Sequence, residues 1–155
     1  MAQIKIIYGT VGGNTELVCK RVEEVLAEKG HAVQILKAKI ADPADLGEWD
    51  LLVLACPTYG IGELEDYFEA FLGKLDTVDL KGRKCAVIGL GDPKYDPDYH
   101  LESAKIIMEF LKKKEARVLY MPLRISRSPL PLIQSGFVDR WCEKIDGELS
   151  ANAGQ

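Results

Sequence analysis

Five short apolar runs, separated by stretches of helical spacing or by turns, leave this chain few ways to fold. The runs are IKIIY (4–8), AVQILKA (32–38), DLLVLAC (50–56), KCAVIGLG (84–91) and RVLYMPL (117–123). The third is apolar throughout, with none of the alternation of a half-exposed strand, so it reads as a central strand covered on both faces. Between the runs, Val18, Val22, Val25 and Leu26 stripe one face of a helix over 15–29, which Gly30 stops. Leu64, Tyr67, Phe68, Phe71, Leu72 and Leu75 mark a second helix. Ala104, Ile107, Met108 and Leu111 mark a third, ending in the solvated Lys112, Lys113 and Lys114, and Phe137, Trp141 and Ile145 mark a last one. The segment KIADPADLGEW is too polar and too broken by Pro and Gly for more than a short helical turn. This order predicts an α/β protein: an open parallel sheet with helices on both faces. One domain is expected over 1–150, with a frayed tail over 151–155.

The formal charge of −4 argues against a nucleic-acid partner. Cys19, Cys56, Cys85 and Cys142 are widely spaced, with no neighbouring Cys or His at ligand spacing, so they read as reduced thiols rather than a metal or disulfide set. No run approaches the ~20 apolar residues a membrane span needs, and Lys5 interrupts the first apolar stretch where a signal peptide would continue. A cytoplasmic protein is expected.

In open parallel sheets, ligands bind beyond the carboxyl ends of the strands, where the winding reverses. That rule selects three loops: GTVGGNTE, CPTYGIGELED and GLGDPKYDPDYH. In the first, Gly9, Gly12 and Gly13 permit tight turns and close approach, Thr10, Asn14 and Thr15 supply donors, and a helix follows at once. Convergent N–H groups and a helix N-terminus hold a phosphate without a formal cation. A nucleoside-triphosphate loop is excluded because no Gly-Lys-Ser/Thr is present, and a dinucleotide loop because the spacing is G-x-x-G-G. In the other two loops, Tyr59 and Tyr95 are placed to stack on the two faces of a planar ring, with Asp92 near its edge.

These three loops together resemble those of the short-chain flavodoxins, and the similarity runs over almost the whole chain. GTVGGNTE resembles that family's phosphate loop, with Thr10, Gly13, Asn14 and Thr15 matching; CPTYGIGE resembles its first ring-stacking loop, and GLGDPKYD its second. The resemblance implies non-covalent FMN, a sheet of five parallel strands in the order 2-1-3-4-5, and low-potential one-electron transfer. It implies cofactor contacts from Thr10, Val11, Gly12, Gly13, Asn14 and Thr15, from Pro57, Thr58, Tyr59, Gly60, Ile61 and Gly62, and from Leu90, Gly91, Asp92, Tyr95 and Tyr99. Gly60 takes the position of the glycine whose peptide turns over on reduction. The chain departs from the family at Gly12, where a Thr hydroxyl is common, and at Lys94, which brings a cation into the third loop.

The expected protein is thus a monomeric electron carrier between a reductase and acceptor enzymes, not itself an enzyme. Docking is expected on an acidic rim of Glu63, Glu65, Asp66, Asp92, Asp96, Asp98 and Glu102. The competing reading is an FMN-dependent quinone or nitro reductase of the same fold. That activity generally needs a nicotinamide site and a substrate pocket built by longer loops or a dimer. A phosphoacceptor switch of the same strand order is excluded, because Tyr8, Cys56 and Pro57 stand where it needs carboxylates.

Overall fold

The computed structural model describes residues 1–10, 12–59, 63–91 and 102–153. The strands are β1 (Gln3–Tyr8), β2 (Ala32–Lys37), β3 (Leu51–Tyr59), β4 (Glu63–Leu64), β5 (Lys84–Leu90), β6 (Arg117–Val118) and β7 (Leu123–Ile125). The helices are α1 (Asn14–Glu28), α2 (Asp66–Leu75), α3 (Glu102–Lys113), α4 (Leu130–Gln134) and α5 (Phe137–Ala153). The sheet runs β2-β1-β3-β5-β6, with β7 also on β5 and β4 on β3; among the described residues only the β3–β4 pair is antiparallel. The expected doubly wound parallel sheet is present. Its fifth strand, read as one run over 117–123, is instead two short pieces, β6 and β7.

Burial on both faces follows residue parity. In β3, Leu51, Val53 and Ala55 join the core under α1 and α5, while Leu52, Leu54 and Cys56 join the core under α2 and α3. Each side of a two-residue period is apolar, so the strand is stable only between two helical layers. In α1 the stripe Val18, Val22, Val25 and Leu26 is buried as expected. The polar segment 39–49 carries only a single helical turn, Pro43–Asp45, started by the Asp42 carboxylate accepting from the Ala44 N–H at 2.9 Å. α5 continues to Ala153, through most of the stretch expected to fray; residues 154–155 lie outside the description.

Two expected core positions are corrected. Tyr67 is 50% exposed and Phe137 is also exposed, each at the first turn of its helix, where the apolar stripe has not yet passed under the sheet. Leu64 belongs to β4, not to the second helix, which Glu65 caps. All four cysteines are free and buried. Burial pushes the thiols of Cys56, Cys85 and Cys142 up to about 12, and that of Cys19 further in the same direction. Among the described residues no helix is long and apolar enough to cross a membrane, and no three His, Cys, Asp or Glu residues gather as a metal site.

Candidate functional site

Register brings the three loops together. Tyr8 pairs with Ala55, and Pro57 pairs with Leu90, so β1, β3 and β5 end side by side. The Gly9 N–H donates to the Ala55 carbonyl at 3.0 Å, and the Gly91 N–H to the Ile125 carbonyl at 2.9 Å, fixing where the first and third loops leave the sheet. The winding reverses between β1 and β3, because β2 lies on one side of β1 and β3 on the other. Of the expected contact residues, Val11, Gly60, Ile61, Gly62, Asp92, Tyr95 and Tyr99 lie outside the described residues, as do Lys94 and the rim positions Asp96 and Asp98. Tyr59 closes β3 and Glu102 opens α3; their side chains are not among those described.

The first loop is a left-handed turn into a helix. Gly12 and Gly13 take φ of 81° and 89°, values that cost any other residue strain, and turns of this kind form anion-binding concavities. The Gly13 N–H donates to Thr10 Oγ1 at 3.1 Å, closing the loop on itself. α1 then starts at Asn14 with no side chain capping it, so its first-turn N–H groups are left for water or a ligand. Thr15 is 1% exposed, yet its Oγ1 has no hydrogen-bond partner among the described residues. A buried hydroxyl without a partner costs about 1–3 kcal/mol. At the positive end of a 15-residue helix, a bound anion is the partner that would remove that cost. These donors fit a phosphate monoester.

The fold adds two cations that the loop itself lacks. β2 is the parallel neighbour of β1, with Lys37 opposite Tyr8, so the chain leaving β2 passes beside the loop leaving β1. A cavity of about 160 Å³ is lined there by Tyr8, Gly9, Thr10, Lys37, Lys39, Glu65 and Tyr67. The Lys39 ammonium lies 5.3 Å from the centre of the Tyr67 ring. Neither lysine stands out from the sequence until the strand order is known, because both are distant from the loop along the chain. Both are exposed, which leaves their charges strongly screened.

Glu65 is corrected. It was expected on an exposed acidic rim, but it is 8% exposed and its carboxylate accepts from the N–H groups of Tyr67 at 3.1 Å and Phe68 at 2.9 Å. It is the N-cap of α2. Gly9 is what makes room: a Cβ there would sit 2.5 Å from Glu65 Oε2. Glu63 and Asp66, by contrast, are exposed.

A hydroxyl pair ties the second loop to the helix that follows the third. Thr58 Oγ1 donates to Ser103 Oγ at 3.1 Å, Ser103 Oγ donates to the Cys56 carbonyl at 3.0 Å, and the Ser103 N–H donates back to Thr58 Oγ1 at 3.2 Å. The close approach needs Gly89, whose Cβ would meet that of Ala104 at 2.6 Å. Ser103 was not singled out from the sequence; a lone Ser at a helix start carries no distinguishing pattern. On the other side, the Tyr8 hydroxyl donates to Glu16 Oε1 at 3.0 Å, and burial, then that carboxylate, pushes its phenol up to about 12.

Comparison with known proteins agrees with this geometry. A family model described as flavodoxin matches residues 6–141. A flavodoxin of Maridesulfovibrio salexigens is 34% identical over 132 residues, 83% of this chain and 89% of that protein. A flavodoxin of Synechocystis is 34% identical over 92 residues, 59% of this chain, and the match spans about half, 54%, of that relative's length. The solved structure of Flavodoxin 2 from Bacillus cereus superimposes with a TM-score of 0.83 at 28% identity, covering 95% of this chain and 99% of the other.

Proposed function

This chain belongs to the flavodoxin family, and we propose that it holds FMN and carries single electrons between a reductase and acceptor proteins. The observation that carries the reading is Thr15: a buried, unpartnered hydroxyl at an uncapped helix head, directly after two left-handed glycines. FMN, when bound, supplies a ring that accepts and releases electrons one at a time.

In this reading the N–H groups at the head of α1 and the Thr10 and Thr15 hydroxyls hold the phosphate, with Asn14 at the loop's end. Gly12, where relatives often carry a hydroxyl, contributes backbone only. Tyr59 and Tyr95 would cover the ring and exclude water from it, and Gly60 is the residue whose carbonyl would turn toward it. A cradle of neutral donors grips the phosphate while leaving most of its negative charge uncompensated. Added negative charge on the neighbouring ring is then disfavoured, which lowers the potential. Lys37 and Lys39 temper this only slightly, because exposed charges are screened within about 10 Å at ordinary salt. Their larger effect is to draw an anionic ligand toward the loop. Thr58 and Ser103 tie the end of β3 to the start of α3. Docking through Glu63 and Asp66, together with Asp92, Asp96, Asp98 and Glu102, would steer a basic partner toward the ring edge. We place the protein in the cytoplasm, as a monomer.

The test is ligand exchange on apo-protein, using FMN and riboflavin, which lacks the phosphate. Thr15→Val is expected to weaken FMN by about tenfold to a hundredfold, the worth of one hydrogen bond to a charged group, while riboflavin affinity stays level. Equal losses for the two ligands, or none for FMN, would remove the phosphate assignment. Steady-state NADPH oxidation by the purified holoprotein should be negligible; sustained turnover would favour the reductase reading instead.

A further inference from the structure

The edge of the sheet farthest from β2 carries a second feature that the cofactor site does not use. β6 and β7 are separated by residues 119–122, where Tyr120 holds φ of 54°, a left-handed conformation that costs a tyrosine about 1–3 kcal/mol. The next residue but one, Pro122, has no N–H to pair with a neighbouring strand. The break turns Tyr120 and Met121 outward, and Met121 is 61% exposed. Opposite them, α5 presents Phe137, Arg140, Trp141 and Lys144, an i, i+3, i+4, i+7 stripe. Between strand edge and helix lies a groove of about 250 Å³. Its floor is fixed, since the indole N–H of buried Trp141 donates to the Met121 carbonyl at 2.9 Å.

The groove's walls are apolar and its polar groups are cationic. Arg140 and Lys144 project from α5, and Arg124 lines the groove from β7. Arg124, Arg140 and Lys144 form no ion pair within 4 Å among the described residues; Arg140 makes a 3.5 Å contact to the Ser135 carbonyl and adds to the field that favours the Asp139 carboxylate. Three cations around an apolar slot, on a chain whose formal charge is −4, are a local reversal of sign. A symmetric dimer centred on the groove is disfavoured, because a two-fold axis through it would set the cationic cluster against its own image. The strand that carries Arg124 ends at Ile125, whose carbonyl accepts from the Gly91 N–H, so this wall of the groove is tied to the end of β5.

We propose that this groove docks an acidic segment of a partner protein, with one apolar side chain of that segment seated between Met121, Phe137 and Trp141. The adaptable Met121 and the aromatic pair supply the anchor, and Arg140, Lys144 and Arg124 pair with flanking carboxylates. A partner seated there lies on the edge of the sheet where β7 runs beside β5. The proposal rests on the electron-carrier reading only for the purpose of the contact.

The test uses the FMN-loaded full chain and a short synthetic peptide of Asp and Glu around one Trp and one Leu. Its controls are the same peptide with Lys for the acids, the same peptide with Ser for Trp and Leu, and vesicles of anionic lipid. Amide NMR shifts confined to 120–124 and 137–144 are expected with the acidic peptide alone. Met121→Asp should weaken that binding by about thirtyfold, the size of a lost interface anchor. Arg140→Glu with Lys144→Glu should abolish it at low salt. Shifts elsewhere, equal binding of the basic or Ser-bearing peptide, binding to vesicles without peptide shifts, or dimerisation of the free chain through these residues would each overturn the proposal. All variants should keep the FMN absorbance spectrum of the parent, so a failed groove is distinguishable from a failed cofactor assignment.

Discussion

The two ends of the sheet are built in opposite ways. At the amino end, polar groups close on one another. The Ala2 N–H donates to His31 Nδ1 at 3.0 Å, which leaves His31 Nε2 as the donor to Asp146 Oδ1 at 2.7 Å. The Gln3 N–H donates to Asp50 Oδ2, and the Asp50 N–H returns to the Gln3 carbonyl, both at 2.7 Å. At the carboxyl end the helix head is uncapped, the Thr15 hydroxyl is buried without a partner, and two lysines face a cavity. The amino end is mostly closed by the protein, although Glu148 Oε2, late in α5, is also buried without a partner among the described residues; at the carboxyl end the open hydroxyl sits at an uncapped helix head. What singles out the carboxyl end is the combination, since a buried open hydroxyl at an uncapped helix head behind two left-handed glycines is a cost that an anion removes.

The comparison breaks most visibly if the closed end also governs binding. His31→Ala removes two hydrogen bonds and leaves the Ala2 N–H and the Asp146 carboxylate without their partner. It should cost about 2 kcal/mol in urea unfolding of the apo-protein. The FMN dissociation constant should not move. A loss of FMN affinity comparable to that of Thr15→Val would show that the two ends are not separable.

Thr15→Val sharpens the comparison from the other side. In the apo-protein it replaces an unsatisfied buried hydroxyl by a methyl group of the same shape. It should therefore leave stability unchanged or raise it by up to about 1.5 kcal/mol, even as FMN binding falls. A destabilised apo-protein would mean that the hydroxyl already has a partner within the fold, and the argument for an anion would lose its main support.

The sequence revealed the scaffold more fully than the site, and the reason is geometric. Layering was legible because both parities of β3 are apolar, from Leu51 to Cys56, and only a sheet covered on two sides accepts that. The break between β6 and β7 was missed: Pro122 inside RVLYMPL carries a signal for it that the run's apolar character outweighed, while nothing in Tyr120 announces a positive φ. Glu65 looked like a surface acid because it stands among acids. Its role as the cap of α2, packed against Gly9, depends on a strand-to-helix turn that spacing does not specify. Lys37 and Lys39 became part of the site only through the pairing of β2 with β1. The loops that carry a pattern of their own were legible through the expected strand order; single residues such as Lys37, Lys39 and Ser103, which carry no pattern, were not.

Tyr8 tests which end a group belongs to. It stands at the carboxyl end of β1, but its hydroxyl is satisfied internally by Glu16, so it should act as scaffold. Its phenol is raised from 10.0 to about 12, chiefly by burial and then by Glu16. A raised folded value contributes stability that is fully present below pH 10 and is lost as pH climbs toward 12, where the unfolded chain ionises first. Near pH 11 that loss is about 1 kcal/mol. Tyr8→Phe should flatten this part of the alkaline unfolding curve while leaving FMN affinity within about twofold, a difference of only ~0.4 kcal/mol. An unchanged alkaline slope would place the titrating group elsewhere.

The smallest effect lies midway between the ends, where α1 and α5 are joined. The Arg21 guanidinium donates to both Asp139 oxygens, at 2.8 and 2.7 Å, and this holds the Asp139 carboxyl below its ordinary range. Each side chain is about 30% exposed, so solvent screens the pair. Asp139→Asn should cost no more than about 0.5–1 kcal/mol at neutral pH. Because the folded value is depressed, the stabilisation exists above the unfolded carboxylate range, near 4, and fades as pH falls through the folded value. Parent and variant should therefore differ in urea midpoint at neutral pH and converge in acid. A gap that persists below about pH 3 would assign the loss to packing between α1 and α5 rather than to charge. In neither case should FMN affinity respond, since Arg21 stands about two turns along α1 from Asn14 and its partner is on α5.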